Sequence, residues 1–382
     1  MSDDAPSGQA WDALRGRLRA EPRRWLVTGA AGFVGSHLVE ALLALGQTVI
    51  GLDNFSTGHL RNLEAVRREV GPEGWLRFSL IEGDIRDRST CAAAVAGVDR
   101  VLHQAALGSV PRSLERPQDT HATNVDGFVN MALAAAEAGV GSFVFASSSS
   151  VYGDDPALPK VEDRVGQPLS PYAASKRANE VYAASFAHAY TLPAVGLRYF
   201  NVIGPRQDPE SAYALVVPKW LALLRRGKRP VIYGDGHTSR DFCPVANVVQ
   251  ANLLAAFAPP EARGRVFNVA LGGRTTLEQL FVLLRDGMAA RGVACAGVQP
   301  RFESFRRGDM RHSLADITAA KRILGYVPTV DLQAGLDEAM DWMLGRVRAA
   351  ADPGPPEASA VPAAPAAIVA EGRRTEANWS SA

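Results

Sequence analysis

Three glycines, Gly29, Gly32 and Gly35, separate two short apolar runs near the start of the chain, and this unit constrains the fold more than any other feature. Arg24–Thr28 reads as a buried strand. From Gly32 to Leu45 the apolar residues Phe33, Val34, Leu38, Leu42 and Leu45 return at helical spacing. A second apolar run, Thr48–Leu52, closes on Asp53. Strand, glycine turn, helix, strand and acid in this order suit a dinucleotide. Gly29 permits the tight turn, Gly32 lets backbone approach a pyrophosphate, and Gly35 lets helix and strand pack closely. The unbonded N–H groups and positive dipole end of the helix then face the phosphates. A carboxylate at Asp53 can take both ribose hydroxyls and would repel a 2′-phosphate, which favours NAD over NADP. The spacing, G-x-x-G-x-x-G, departs from the commoner G-x-G-x-x-G.

The rest of the chain continues the same grammar. LRFSLIEGDI, VDRVLHQAA, GSFVFASSS and AVGLRYFNV read as strands, with helical stretches such as FVNMALAAAEAG and SKRANEVYAASFAHAY between them. The expected fold is α/β: a Rossmann-type, doubly wound parallel sheet with helices on both faces. From about Ile203 proline, glycine and charge become frequent, as in RRGKRPVIYGDGHTSRDFCP, and a smaller mixed α/β C-terminal lobe is expected over the carboxyl edge of the sheet. NVVQANLLAAFA and RVFNVA return to the main sheet, while 275–289 and 315–346 read as helical. The expected divisions are a leader helix in 1–22, a cofactor domain in 23–202 with returning elements at 245–270, a discontinuous substrate lobe in 203–346, and a disordered Ala/Pro-rich tail in 347–382.

With 41 basic and 40 acidic residues in 382, no global field recruits nucleic acid or an acidic membrane. Cys91, Cys243 and Cys295 are too far apart for a disulfide framework or a metal motif, which fits a reducing compartment. The N-terminus is acidic and polar rather than signal-like, and charge or glycine interrupts every apolar stretch before it could span a bilayer. A cytoplasmic protein without membrane insertion is expected.

Tyr172-Ala-Ala-Ser-Lys176 is the next constellation. Positions four apart share a helix face, so phenol and ammonium point into one cleft. The cation favours the phenolate and lowers the tyrosine pKa towards neutrality, while the lysine can also bond the nicotinamide ribose. Ser147–Ser150 close a predicted strand at the sheet edge where a ligand lies, so their hydroxyls can reach a substrate oxygen. His103 reads as a packed strand residue and His37 as a structural or surface residue of the first helix. The run Arg225, Arg226, Lys228, Arg229 reads as a solvated helix end, and Asp154, Asp155, Glu162 and Asp163 as a loop edge. Nothing points to a metal site.

TGAAGFVGSHL, LDNFSTG, GDIRD, HQAA, ASSSSVYGD, SPYAASK, LRYFNVIGPRQ, GDGHTSRDF and RRGDMRHS occur in this order. Together they resemble the extended short-chain dehydrogenase/reductases and, within them, the nucleotide-sugar 4-epimerases. The resemblance runs from about residue 10 to 346 and is closest to bacterial UDP-N-acetylglucosamine 4-epimerases. It implies tightly held NAD, a UDP-sugar substrate and a homodimer formed through paired helices. By position, Ser148 matches the family's catalytic serine, Tyr172 its base and Lys176 the electrostatic partner. Asp84 and Ile85 flank the adenine, and Gln104, Ala105 and Ala106 lie along the cofactor. Phe33, Val34, Asn54, Ser56, Thr57, Gly58 and Tyr199 complete its implied cofactor set. Ser109, Ser149, Ser150, Asn201 and Gln207 are implied at the substrate. Arg240 and Arg306, with Asp309, are implied at its diphosphate, Arg307 standing beside Arg306 as the alternative.

Ser313 matches the site where epimerases limited to non-acetylated sugars carry a bulky aromatic residue. Serine leaves room for an N-acetyl arm. The implied reaction is reversible C4 epimerisation of UDP-N-acetylglucosamine to UDP-N-acetylgalactosamine through a 4-keto sugar. Alternatives are UDP-N-acetylglucosaminuronic acid, or UDP-glucose and UDP-glucuronic acid. The serines speak against a 4,6-dehydratase, which would carry an Asp-Glu pair there. A non-catalytic NAD-binding regulator would have no need of Ser148, Tyr172 and Lys176.

Overall fold

Strand alternation explains the core. In β1 (Arg24–Thr28) the side chains of Trp25 and Val27 enter one apolar cluster and Leu26 another on the opposite face. In β5 (Ser142–Ser148) Val144 joins the first cluster while Phe143 and Phe145 join the second. Side chains of successive strand residues point to opposite faces, so a strand apolar at every position needs helices on both sides.

The computed structural model describes residues 8–210, 214–305 and 311–345, all within one compact unit. Its centre is a seven-stranded parallel sheet. The other strands are β2 (Thr48–Asp53), β3 (Phe78–Glu82), β4 (Arg100–His103), β6 (Ala194–Tyr199) and β7 (Arg265–Val269). The order is β7-β6-β5-β4-β1-β2-β3. It reverses direction between β1 and β4, and ligands of such sheets bind at the carboxyl ends of those two strands. The doubly wound sheet expected from the sequence is therefore the fold of the chain.

Helices α1 (Gln9–Ala20) and α2 (Phe33–Ala44) contribute to the first cluster, α1 through Leu14 and Leu18. Helix α3 (Leu60–Trp75), kinked at Gly71, lies against α2. On the opposite face α4 (Arg88–Val95) packs on a later helix; between them come α5 (Val110–Glu115), α6 (Pro117–His121) and a π-helical turn, Ala122–Asp126. That later helix is α7 (Gly127–Glu137), followed by α8 (Pro171–Ala189).

After residue 203 short paired strands frame α9 (Val216–Arg225), α10 (Val245–Ala255), α11 (Leu277–Ala290) and α12 (Leu332–Met343). Helix α10 belongs to the first cluster and β7 pairs with β6. Helices α9, α11 and α12 enclose a third cluster around Trp220, Leu224, Leu280, Leu284 and Leu336.

One expectation fails at 315–346, which is not a continuous helix. A π-helical turn, Ala320–Leu324, ends at left-handed Gly325 (φ 69°), and α12 begins only after Asp331, whose carboxylate caps the Ala334 N–H. Pro328 in the intervening loop also disfavours helix at the residue before it. The 347–382 tail lies outside the described residues.

Candidate active site

The glycine turn builds one wall of a cavity of about 370 Å³ at the sheet's switch point. Gly29 has φ 68°, and its N–H donates to the Leu52 carbonyl at 2.7 Å. A Cβ there would stand 2.9 Å from the Ala105 nitrogen. At Gly35 it would stand 2.0 Å from the Gly29 oxygen, so only glycine lets α2 start this close to β1. Ser36 N–H makes the helix's first bond back, to Gly32, which leaves the amides of Phe33, Val34 and Gly35 at the open end. All three residues line the cavity.

Asp53 bridges two segments. Its carboxylate accepts the Ala31 N–H and the Phe55 N–H, both at 2.8 Å, and so ties the glycine turn to the loop after β2. Burial raises its pKa, against those two bonds and the nearby His59. Asn54, Ser56, Thr57 and Gly58 continue the lining. Gly83 and Ile85 line it on either side of Asp84, whose carboxylate is held at a pKa of about 2, chiefly by hydrogen bonds from Arg86. Asn54 donates to it as well, at 2.8 Å.

At the other wall, Gln104, Ala105, Ala106 and Ser109 follow β4. The Ala105 N–H donates to Thr28 Oγ1 at 3.1 Å. Tyr199 donates to Gln104 at 3.0 Å and accepts from Asn252 of α10 at 2.8 Å, and burial raises its pKa. His103, bonded to Thr28 at 2.9 Å and stacked on Phe143, is held neutral by burial with a pKa of about 3, so it is a packed strand residue.

Ser170 caps α8 by accepting the Ala173 N–H, which fixes Tyr172 in the first turn. Tyr172 and Lys176 both line the cavity, on one face of the helix. Ser148, the last residue of β5, hydrogen-bonds the Tyr172 phenol. The Lys176 ammonium donates to the Ala146 carbonyl at 2.8 Å. The expected lowering of the Tyr172 pKa is not what these residues produce: burial raises it, and the Ser148 hydroxyl alone opposes. Burial also brings Lys176 down to about 8, against the field of Glu180. The physical reason is that desolvation disfavours phenolate and ammonium alike.

The remaining candidates spread outward. Gln207 lines the cavity, accepting the Gly204 N–H and donating to the Val202 carbonyl. Ser149 and Ser150 form a 3₁₀ turn beside it, Ser150 N–H donating to Ser148 Oγ at 3.1 Å. Asn201 donates to the Asp241 carbonyl at 3.4 Å. Arg240 bonds the Ser239 and Arg311 carbonyls. Ser313 is buried, 2% exposed, and its N–H donates to the Ser239 carbonyl. None of Ser148, Ser149, Ser150, Asn201, Arg240 or Ser313 forms the described cavity wall. Arg306 and Asp309 lie outside the described residues.

Sequence reasoning missed Arg112, Thr123 and Leu215, which also line the cavity. It also missed Glu180, whose signal was present as a fourth-residue repeat after Tyr172 and Lys176. The residues present fit a dinucleotide: a helix N-terminus with three amides for the pyrophosphate, a carboxylate for a ribose, and a lysine and tyrosine at the far end.

The NAD dependent epimerase/dehydratase family model matches residues 25–270. A UDP-glucose 4-epimerase of Mycolicibacterium smegmatis is 39% identical over 321 residues, covering 84% of this chain and 98% of its own length. The solved UDP-N-acetylglucosamine 4-epimerase of Methanobrevibacter ruminantium, in complex with UDP-N-acetylmuramic acid, superposes with a TM-score of 0.78 at 36% identity, over 86% of this chain and 100% of that one. A UDP-glucuronic acid 4-epimerase from Bacillus cereus, solved with UDP-glucuronic acid and NAD, gives 0.75 at 28% identity, over 84% and 99%. With the glycine turn, the carboxylate and the Tyr172–Lys176 pair in place, the chain belongs to the NAD-dependent epimerase/dehydratase family and, within it, to the NAD-dependent UDP-sugar 4-epimerases, which are isomerases.

Proposed function

We propose that the chain interconverts UDP-N-acetylglucosamine and UDP-N-acetylgalactosamine. The observation that carries this substrate choice is Ser313, a small side chain buried two residues after Arg311 and bonded to the strand that bears Arg240. By the resemblance, epimerases limited to non-acetylated sugars carry a bulky aromatic residue at this position, and the smaller serine would obstruct an N-acetyl arm less.

NAD, held by the cavity residues, would supply a reversible hydride acceptor for C4 of the sugar. Residues of the chain do the rest. Phe33, Val34 and Gly35 amides hold the pyrophosphate and Asp53 a ribose. Tyr172, as phenolate, takes the O4 proton with Ser148 bridging, and Lys176 supplies positive charge beside it. Arg240 and Arg306 hold the UDP diphosphate while the 4-keto sugar turns over, with Asn201 at the sugar diphosphate and Gln207 reaching the sugar. Residues 23–202, with the returning elements at about 245–270, serve the cofactor, and the discontinuous remainder of 203–346 serves the UDP-sugar. A second copy covers the exposed apolar side chains Val181 and Tyr182 of α8, giving a homodimer. Three buried thiols suit the reducing cytoplasm, and no helix among the described residues is long and apolar enough to cross a membrane.

The test is direct: purified protein is given UDP-N-acetylglucosamine without added NAD, and UDP-N-acetylgalactosamine is sought by NMR. Conversion supports both substrate and resident cofactor. A second reading, a uronic-acid substrate, is favoured by Arg112 in the cavity wall, a cation suited to a 6-carboxylate. Turnover of UDP-N-acetylglucosaminuronic acid alone, lost on Arg112→Leu, would select that reading.

A further inference from the structure

The four-residue repeat that joins Tyr172 to Lys176 runs one turn further, to Glu180. Its carboxylate is buried, with the side chain 3% exposed, and every acceptor direction is taken. Oε1 accepts the Ser147 hydroxyl at 2.6 Å and Arg198 Nε at 2.8 Å. Oε2 accepts Arg198 Nη2 and Arg177 Nη1, both at 2.9 Å. A structural ion pair needs only the two parallel bonds to Arg198. The Ser147 bond adds something else, because Ser147 lies between Ala146, whose carbonyl takes the Lys176 ammonium, and Ser148, which bonds the Tyr172 phenol. Helix and strand end are thus stitched at three successive residues of β5, each to a residue one turn apart on α8.

Charge runs along the same line. Facing Lys176 are Tyr172 and Glu180 on its own helix, neutral His103 on β4 and the Ala146 carbonyl on β5, while Arg177, the Ser147 hydroxyl and Arg198 on β6 stand on Glu180. Among these groups Glu180 is the one carboxylate, and its field works against the burial that favours the neutral amine.

We infer that Glu180 is a positioning residue of the epimerase reaction: its carboxylate clamps the end of β5 that carries Ser148 against α8 and stands as the counter-charge to Lys176. This rests on the roles proposed above for Ser148, Tyr172 and Lys176. Glu180→Gln keeps the shape but leaves Arg177, Lys176 and Arg198 as three cations around a neutral amide. Lys176 then gives up its proton at lower pH, so the alkaline limb of the kcat profile moves down.

The experiment compares kcat and KM of wild type and Glu180→Gln from pH 6 to 9.5, with bound NAD and melting temperature as folding controls. The expected result is a limb lowered by about one pH unit, with roughly tenfold loss of kcat above it and KM within about twofold. A folded, NAD-bearing Glu180→Gln whose profile coincides with wild type would overturn the inference. Should that variant fail to fold, Glu180→Asp decides: it keeps the charge and shortens the reach, so the limb stays in place while kcat falls. Unchanged kcat in Glu180→Asp overturns the clamp, and a shifted limb overturns the counter-charge. Wild-type turnover and an inactive Tyr172→Phe, run alongside, separate failure of the catalytic roles from failure of this one.

Discussion

At the scale of single residues, burial sets the chemistry. The Tyr172 phenol is raised by desolvation and relieved only by Ser148, so it is a poor base until positive charge reaches it. Tyr172→Phe is expected to lower kcat by about 10²–10⁴-fold, the usual worth of a positioned acid or base, with NAD retained. Single-turnover assays and the absorbance of the bound cofactor check both halves. His103 gives a pH dependence of stability. Its folded pKa, about 3, lies below the unfolded 6.5, so between these values the unfolded chain binds a proton that the native state refuses. Stability is therefore complete above 6.5 and is lost as pH falls towards 3, by up to about 1.4 kcal/mol per pH unit from this group. Urea titrations at pH 7, 6, 5 and 4 should show a shallower decline for His103→Gln than for wild type.

At the scale of elements, the glycine turn separates two kinds of glycine. A Cβ at Gly35 would meet backbone at 2.0 Å and 2.7 Å, neither of which can yield without moving α2 off β1. Gly35→Ala should cost about 1–3 kcal/mol or more, as overpacking does, and release NAD; melting temperature and cofactor content report it. Gly16 in α1 has nothing within 4 Å of such a Cβ. Gly16→Ala should instead stabilise by about 0.5–1 kcal/mol, because alanine loses less entropy in a helix. The strands, and the helices that follow the glycine turn and Ser170, were legible as sequence because apolar spacing and capping are local. The break at Gly325 is hidden in the sequence, since helical periodicity on either side masks a left-handed residue and a proline between.

Across the whole molecule, buried carboxylates join segments that the sequence keeps far apart. Asp241, fully buried, accepts the N–H groups of Leu271 at 3.1 Å, Gly272 at 3.1 Å and Ala315 at 3.2 Å. Burial raises its pKa to about 6 against those bonds. Asp241→Ala would leave these donors without an acceptor beside both Arg240 and Ser313. About 3–5 kcal/mol of destabilisation is expected, at 1–3 kcal/mol per stranded group, partly relieved by water. KM for the UDP-sugar should rise more than kcat falls, which steady-state kinetics at 15 °C can separate from unfolding.

The sequence by itself determined the glycine turn, the carboxylate of Asp53 at the end of β2 and the shared face of Tyr172 and Lys176. Each is a matter of residues a few positions apart, where backbone geometry leaves little choice. Only the tertiary structure decided that Ser148 meets Tyr172, that Glu180 reaches Ser147 and Arg198, and that Asp241 gathers two loops. Those meetings span from 18 to 74 positions of chain, and their strength comes from exclusion of water, which no spacing rule records.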